Sequence, residues 1–282
     1  MVRDYQLEVE KELKNAGIED FSFETSVIFE ETYGRDFSKE LMLGRLEREP
    51  SQREKEIIDS CVKRRIAGEP LQYIIGKWEF YGMEFAVGKG VLIPRQDTEL
   101  LIDTALFVLS GVNQAKILDL CSGTGCIPIV LKEKLPDSTV MAAELYDGAY
   151  EYLRINTAAY GDMVESFKID VLDEKSADGF DNLDLITCNP PYLTAEDMAS
   201  LQKELEAEPS TALYGDRDGL KFYRIIPKIW RSSIKSGGHI LFETGCSQAE
   251  SVSSILAASG YEDIKVIKDY CGKDRAVIGK KP

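Results

Sequence analysis

Apolar positions change their spacing twice along the chain. Up to about residue 75 they recur at helical intervals, over 5–13 and again over 39–46. The best-bounded helix opens on Ser51-Gln-Arg-Glu54, in which a serine hydroxyl and a glutamate three residues on can each satisfy the other's backbone N–H. Ile57, Ile58, Cys61 and Val62 follow on one face, and Gly68 with Pro70 supplies the stop. Residues 1–75 are therefore predicted to be a small helical bundle. They carry no catalytic constellation, and we read them as a partner-binding domain in preference to a purely packing one.

From Trp78 to Ile93 the period falls to two: Trp78, Phe80, Met83, Phe85, Val87, Val91 and Ile93, broken by Gly82 and Gly88. This predicts a β-hairpin connector within 76–94. Leu92-Ile-Pro-Arg95-Gln-Asp-Thr98-Glu99 then leads into a helix over 100–109, with Asp97 or Thr98 as its cap. Beyond it strands and helices alternate, with strands over 115–120, 139–143, 166–169, 183–188 and 238–242. A closing antiparallel pair follows over 265–267 and 275–278. Such alternation predicts, for 95–282, an α/β fold: a seven-stranded, mostly parallel Rossmann-like sheet with helices on both faces.

Composition narrows the partners. The chain has 282 residues, 44% of them hydrophobic, and no run of eighteen apolar residues; its first residues are polar and charged. A globular cytoplasmic protein with no membrane segment is the expectation. Thirty-four basic against 49 acidic residues leave a net charge of −15, with no basic run longer than Lys63-Arg64-Arg65. That balance disfavours gripping a polyanion by counterion release and favours a protein or small-molecule substrate. Six cysteines at 61, 121, 126, 188, 246 and 271 contain no CxxC pair, so neither a zinc site nor a disulfide framework is indicated, and they read as reduced core residues.

Two segments carry chemistry. Asp119-Leu-Cys121-Ser122-Gly123-Thr124-Gly125 follows the first parallel strand and opens a helix, and its glycines allow a ligand close to the backbone. Glu144, about twenty residues on, ends the next strand, where a carboxylate can bind a ribose diol. The third glycine of a diphosphate-binding loop is missing, since Ile127 and Pro128 follow Cys126. The segment thus suits S-adenosylmethionine better than a dinucleotide. Asp170 and Val171, after the third strand, stand where an acid and a backbone N–H meet an adenine edge, although Asp170 can equally cap its loop. Asp119 either orients the glycine loop or approaches the methionine amino group. The lone His239 lies in a strand and reads as structural.

The second segment is Asn189-Pro190-Pro191-Tyr192, directly after the strand over 183–188. An amide or nucleobase NH2 is a poor nucleophile because its lone pair is delocalised. The Asn189 side-chain carbonyl and the Pro190 backbone carbonyl can each accept one of its N–H groups, aim the lone pair and stabilise the charge that develops. Proline fixes φ and has no competing N–H, and Tyr192 offers a flat face. Taken alone, the tetrapeptide is equally a strand-ending turn.

With these residues in place, the chain resembles the peptide chain release factor N5-glutamine methyltransferases from about residue 65 onward. The shared segments are Arg65-x-x-Gly68-x-Pro70-x-Gln72-Tyr73-Ile74-x-Gly76, Leu92-Ile-Pro-Arg95 with Thr98-Glu99, and 119–125. They continue with 189–192, Glu208-Pro209 to Ala212-Leu213, Asp218-Gly219-Leu220, Glu243-x-Gly245 with Gln248, and Gly272-Lys-Asp-Arg275. The resemblance implies methyl transfer from S-adenosylmethionine to the glutamine of the Gly-Gly-Gln loop of class-1 release factors, which the helical domain helps to dock. It implies Asn189, Pro190, Pro191 and Tyr192 at the substrate, with Asn189 also meeting the cofactor. Cys121, Ser122, Gly123, Thr124, Gly125, Glu144, Asp170 and Val171 bind the cofactor, no metal takes part, and Arg95 and Thr98 lie near the mouth. Glu144 stands where aspartate is usual, Val171 where an aromatic is frequent and Gln96-Asp97 where Pro-Glu is frequent. The alternatives are an N6-adenine methyltransferase of DNA or RNA and a non-catalytic S-adenosylmethionine-binding adaptor.

Overall fold

The computed structural model describes residues 1–201 and 204–282, and the chain forms two compact units, Met1–Lys77 and Trp78–Pro282. The first is built from helices Val2–Asn15, Phe21–Tyr33, Phe37–Met42, Gln52–Ile66 and Leu71–Ile75. Ser51 and Glu54 form the predicted capping box: Ser51 Oγ accepts from the Glu54 N–H at 3.3 Å, and Glu54 Oε2 from the Ser51 N–H at 2.6 Å. The buried face of that helix is Ile58, Val62 and Arg65, whereas Ile57 is exposed and Cys61 half-buried. Arg65 is buried because it meets Glu24 of helix Phe21–Tyr33 through two bonds, at 2.6 and 3.0 Å. Paired charge thus occupies part of the stripe that hydrophobicity alone assigned to apolar side chains. The helix expected over 39–46 ends at Met42, where Met42 and Leu43 face solvent and no apolar face continues it.

Strands β1 (Lys77–Phe80) and β2 (Met83–Ala86) pair as the hairpin, and their Phe80 and Phe85 enter the core of the second unit. The two-residue spacing extends to Ile93, but the strand stops at Ala86. The Asn156 side chain occupies both backbone groups there, accepting from the Ala86 N–H at 2.7 Å and donating to its carbonyl at 3.1 Å. Val87, Val91 and Ile93 are buried in a loop, so their spacing reports burial without a ladder.

The remaining strands are β3 (Lys116–Leu120), β4 (Thr139–Glu144), β5 (Glu165–Lys168), β6 (Leu183–Cys188), β7 (Ile234–Glu243), β8 (Glu262–Lys268) and β9 (Asp274–Lys280). They form the expected seven-stranded sheet in the order β5-β4-β3-β6-β7-β9-β8, parallel except that β9 is antiparallel to both neighbours. Alternating side chains feed two cores. Ile117, Val140, Leu185 and Leu241 pack with helices Glu99–Val108 and Cys126–Lys134 on one face. Leu118, Ile186, Ile240 and Phe242 pack with helices Lys221–Ile229 and Ala249–Ala258 on the other.

The chain winds outward from β3 through β4 to β5 and then restarts on the other side with β6. Ligands of open α/β sheets sit at such a switch point, beyond the carboxyl ends of the strands. Leu120 and Cys188, the last residues of β3 and β6, are register partners, so the loops after them lie side by side. Cys126 and Cys188 are core residues as expected. Cys246 and Cys271 are exposed, because the loops that carry them lie outside the sheet. Among the described residues no helix is long and apolar enough to cross a membrane.

Candidate active site

The loop after β3 turns sharply, with Cys121, Gly123 and Gly125 at φ of 59°, 54° and 81°. Gly125 starts helix Cys126–Lys134, and a Cβ there would lie 2.6 Å from Leu153 Cδ1. Both the φ and the close packing therefore demand glycine. The Gly123 N–H donates to Glu144 Oε2 at 3.0 Å, while Glu144 Oε1 accepts the N–H groups of Leu145 and Tyr146 at 2.8 and 3.0 Å. One carboxylate at the end of β4 thus ties the glycine loop to the start of the next helix.

Cys121, Ser122, Gly123 and Thr124 line a cleft of about 1110 Å³, its solvent-open mouth included, together with Glu144, Asp170, Val171 and Asn189. Gly125 packs beneath it and does not line it. Asp170 lines the cleft and also caps its loop, its Oδ1 accepting the Leu172 N–H at 2.9 Å. The Val171 carbonyl accepts from Trp230 Nε1 at 2.9 Å, which anchors this corner to a fully buried ring. Asp119 is buried behind the cleft and faces Thr187, whose hydroxyl donates to Asp119 Oδ1 at 2.6 Å. Burial pushes the Asp119 carboxyl up to about 7, opposed by hydrogen bonds from Thr187 and Ser122.

A second cavity of about 990 Å³, solvent-open space included, adjoins the first. Asn189, Leu92, Arg95 and Ala212 line both, and Tyr192 and Glu243 line the second. Pro191 lines the first, while Pro190 is buried and lines neither. The 189–192 loop is held from distant segments. Gln248 Nε2 donates to the Tyr192 carbonyl at 2.9 Å, and a Cβ at Gly219 would fall 2.2 Å from that same oxygen. Arg95 pairs with the buried Glu208, which also accepts the Ile93 N–H at 3.0 Å.

Neither Asp97 nor Thr98 caps helix Glu99–Val108 by its side chain. Both are engaged elsewhere. Asp97 pairs with Arg275 at 2.9 Å, and Thr98 Oγ1 donates to Glu243 Oε2 at 2.6 Å while accepting from Asn189 Nδ2 at 3.3 Å. Burial pushes Glu243 up to about 7 against the opposing effects of Thr98 and Arg275, and burial followed by the Glu243 charge raises the Tyr192 hydroxyl. From the sequence Thr98 reads as a possible helix cap near the mouth and Glu243 only as part of a shared segment; their link is not visible there, because no local pattern joins positions 91 and 145 residues apart. His239 lines neither cavity.

Comparison with known proteins gives the following. The family model described as PrmC N-terminal domain matches residues 5–76, and that of the Methyltransferase small domain matches 96–214. The release factor glutamine methyltransferase of Fusobacterium nucleatum is 34% identical over 276 residues, covering 95% of this chain and 76% of that protein. That of Clostridium botulinum is 32% identical over 100% of this chain and 99% of its own. Among solved structures, the hMettl16 catalytic domain in complex with MAT2A 3'UTR hairpin 6 superposes with a TM-score of 0.56 over 82% of each chain at 16% identity, a likeness of fold.

Proposed function

The chain belongs to the release factor glutamine methyltransferase family, and from that premise we propose that it transfers a methyl group from S-adenosylmethionine to N5 of the glutamine in the Gly-Gly-Gln loop of class-1 release factors. The observation that carries this reading is that Asn189 stands at the junction of the two cavities, one lined by the glycine loop and Glu144 and the other by Tyr192. A single side chain there meets both donor and acceptor.

The donor set of the first cavity fits the cofactor. Glu144 offers a carboxylate already anchored by three N–H groups, two on Oε1 and one on Oε2, which leaves an acceptor site on Oε2 for a ribose hydroxyl. Asp170, with Val171 as an apolar wall, suits an adenine, and Cys121 to Thr124 border the methionine side. When bound, S-adenosylmethionine supplies an electrophilic methyl on a sulfonium. We assign the acceptor side to Asn189, Pro190 and Tyr192. The Asn189 Oδ1 and Pro190 carbonyls would accept the two N–H bonds of the carboxamide, which keeps the nitrogen lone pair directed away from them and stabilises the positive charge as the new N–C bond replaces the methyl–sulfur bond; the nitrogen then returns to neutrality by losing one N–H proton to solvent at the open mouth. Pro191 stiffens the loop and Tyr192 packs on the amide plane.

We assign 1–75 to docking of the factor, 76–94 to the hairpin link and 95–282 to catalysis; the match of the family's N-terminal domain to 5–76 supports the first of these. A cytoplasmic location follows from that substrate. The adenine alternative is not favoured, since the relatives named above are glutamine methyltransferases and the chain carries a net charge of −15.

The test is transfer from labelled S-adenosylmethionine to purified class-1 release factor and, in parallel, to duplex DNA. Labelling confined to the factor is expected; labelling of the DNA alone would overturn the reading.

A further inference from the structure

An asparagine that must present its carbonyl to a substrate N–H has to be kept from presenting its NH2 instead, since the two ends of the amide are nearly the same shape. Thr98 makes that choice here. Its hydroxyl has one proton, and that proton is committed to Glu243 Oε2 at 2.6 Å. Toward Asn189 it can then only accept, and it does so from Nδ2 at 3.3 Å. The flipped amide would set the Asn189 carbonyl against an oxygen with no proton to give.

Glu243 is suited to this task. It ends β7, where its neighbour Phe242 is the register partner of Cys188, so it stands beside the start of the 189–192 loop. Its other oxygen, Oε1, accepts from the Tyr192 hydroxyl at 3.5 Å, so one carboxylate braces both ends of the loop. The charged and titratable groups facing it are Arg275 from β9, Asp97 from the turn before helix Glu99–Val108, Tyr223 from helix Lys221–Ile229, Cys126 at the start of helix Cys126–Lys134, and Tyr192 itself.

We propose that Glu243, acting through Thr98, is a positioning residue that fixes which end of the Asn189 amide faces the acceptor, and so selects a carboxamide N–H donor over a carboxylate. The inference rests on the glutamine-methylation reading above. It assigns a task to two residues that hold the reactive group without being the source of its carbonyl.

The experiment uses the full-length enzyme with purified class-1 release factor, reading kcat, KM for the factor and, by calorimetry, S-adenosylmethionine affinity. Thr98→Val keeps the shape and removes the hydroxyl. It is expected to lower kcat roughly tenfold to hundredfold, the scale of a misoriented reacting group, with cofactor affinity within about threefold. Thr98→Ser restores the hydroxyl and is expected to recover kcat to within about threefold of wild type. Glu243→Gln, whose amide can meet Thr98 with either an oxygen or an NH2, is expected to lower kcat by a smaller factor than Thr98→Val. Equal losses in Thr98→Val and Thr98→Ser, or losses seen in cofactor affinity with kcat spared, would overturn the relay in favour of simple packing. Wild-type kcat in both Thr98→Val and Glu243→Gln would overturn it while the glutamine reading stands. A wild-type enzyme that leaves the factor unmethylated would instead fail that underlying reading, and the relay with it.

Discussion

The loops after β3 and β6 lie side by side at the switch point of one sheet, yet they are built in opposite ways. The β3 loop is shaped by its own backbone: left-handed residues at 121, 123 and 125, and a carboxylate only 21 residues from Gly123. The β6 loop is shaped by side chains from far along the chain: Gln248 at 56 residues from Tyr192, Thr98 at 91 from Asn189, and Glu243 behind Thr98 at 145. A cradle for a common cofactor needs N–H groups and room, which glycine provides locally. Orienting one amide needs hydrogen bonds of fixed direction, which only a folded sheet can bring together.

The largest effect should therefore come from the second loop. Asn189→Ala is expected to lower kcat by at least about a hundredfold, the scale of a lost transition-state contact of about 3 kcal/mol, while calorimetry finds S-adenosylmethionine affinity reduced by a much smaller factor. Retained turnover would erase the contrast between the loops. Glu144→Ala should show the reverse split, weakening cofactor affinity roughly tenfold to hundredfold, as expected for lost hydrogen bonds to a charged group. Its kcat at saturating cofactor should be largely kept. Gly125→Ala should act on folding, since a side chain at φ 81° costs about 1–2 kcal/mol before the contact with Leu153 is counted. A lowered Tm in thermal unfolding checks it.

The pH profile offers the mildest test. Glu243 is pushed by burial from 4.5 to about 7, and the relay needs its ionised form, so turnover should decline as pH falls through about 7. The same shift means the unfolded chain loses this proton more readily. Its contribution to stability is therefore greatest below 4.5 and is lost as pH rises toward 7. Loss of turnover on the acid side is thus not unfolding driven by this group, and Glu243→Gln should remove its part of that limb, leaving any part that belongs to Asp119, which burial also pushes up to about 7.

The same contrast explains what could be read from the sequence. Strand positions, the capping box at Ser51 and the glycine loop depend on neighbours within a few residues, and they appear where spacing placed them. Asn189 was legible because its chemistry is unusual at a strand end. Thr98 reads as a possible helix cap because that is what a threonine before a helix does locally; its bond to Glu243 requires the fold. Hydrophobicity puts Ile57 inside, whereas it is exposed, and the buried Arg65, paired with Glu24, that shares that face gives no periodic signal.

The most direct measurement is to locate the methyl group itself. Purified class-1 release factor and its variant with the loop Gln→Ala are incubated with the enzyme and S-adenosylmethionine, then mapped by fragmentation mass spectrometry. One methyl on the side-chain amide of the Gly-Gly-Gln glutamine, absent from the variant, is the predicted result. A methyl on any other residue, or equal labelling of the variant, would contradict the account.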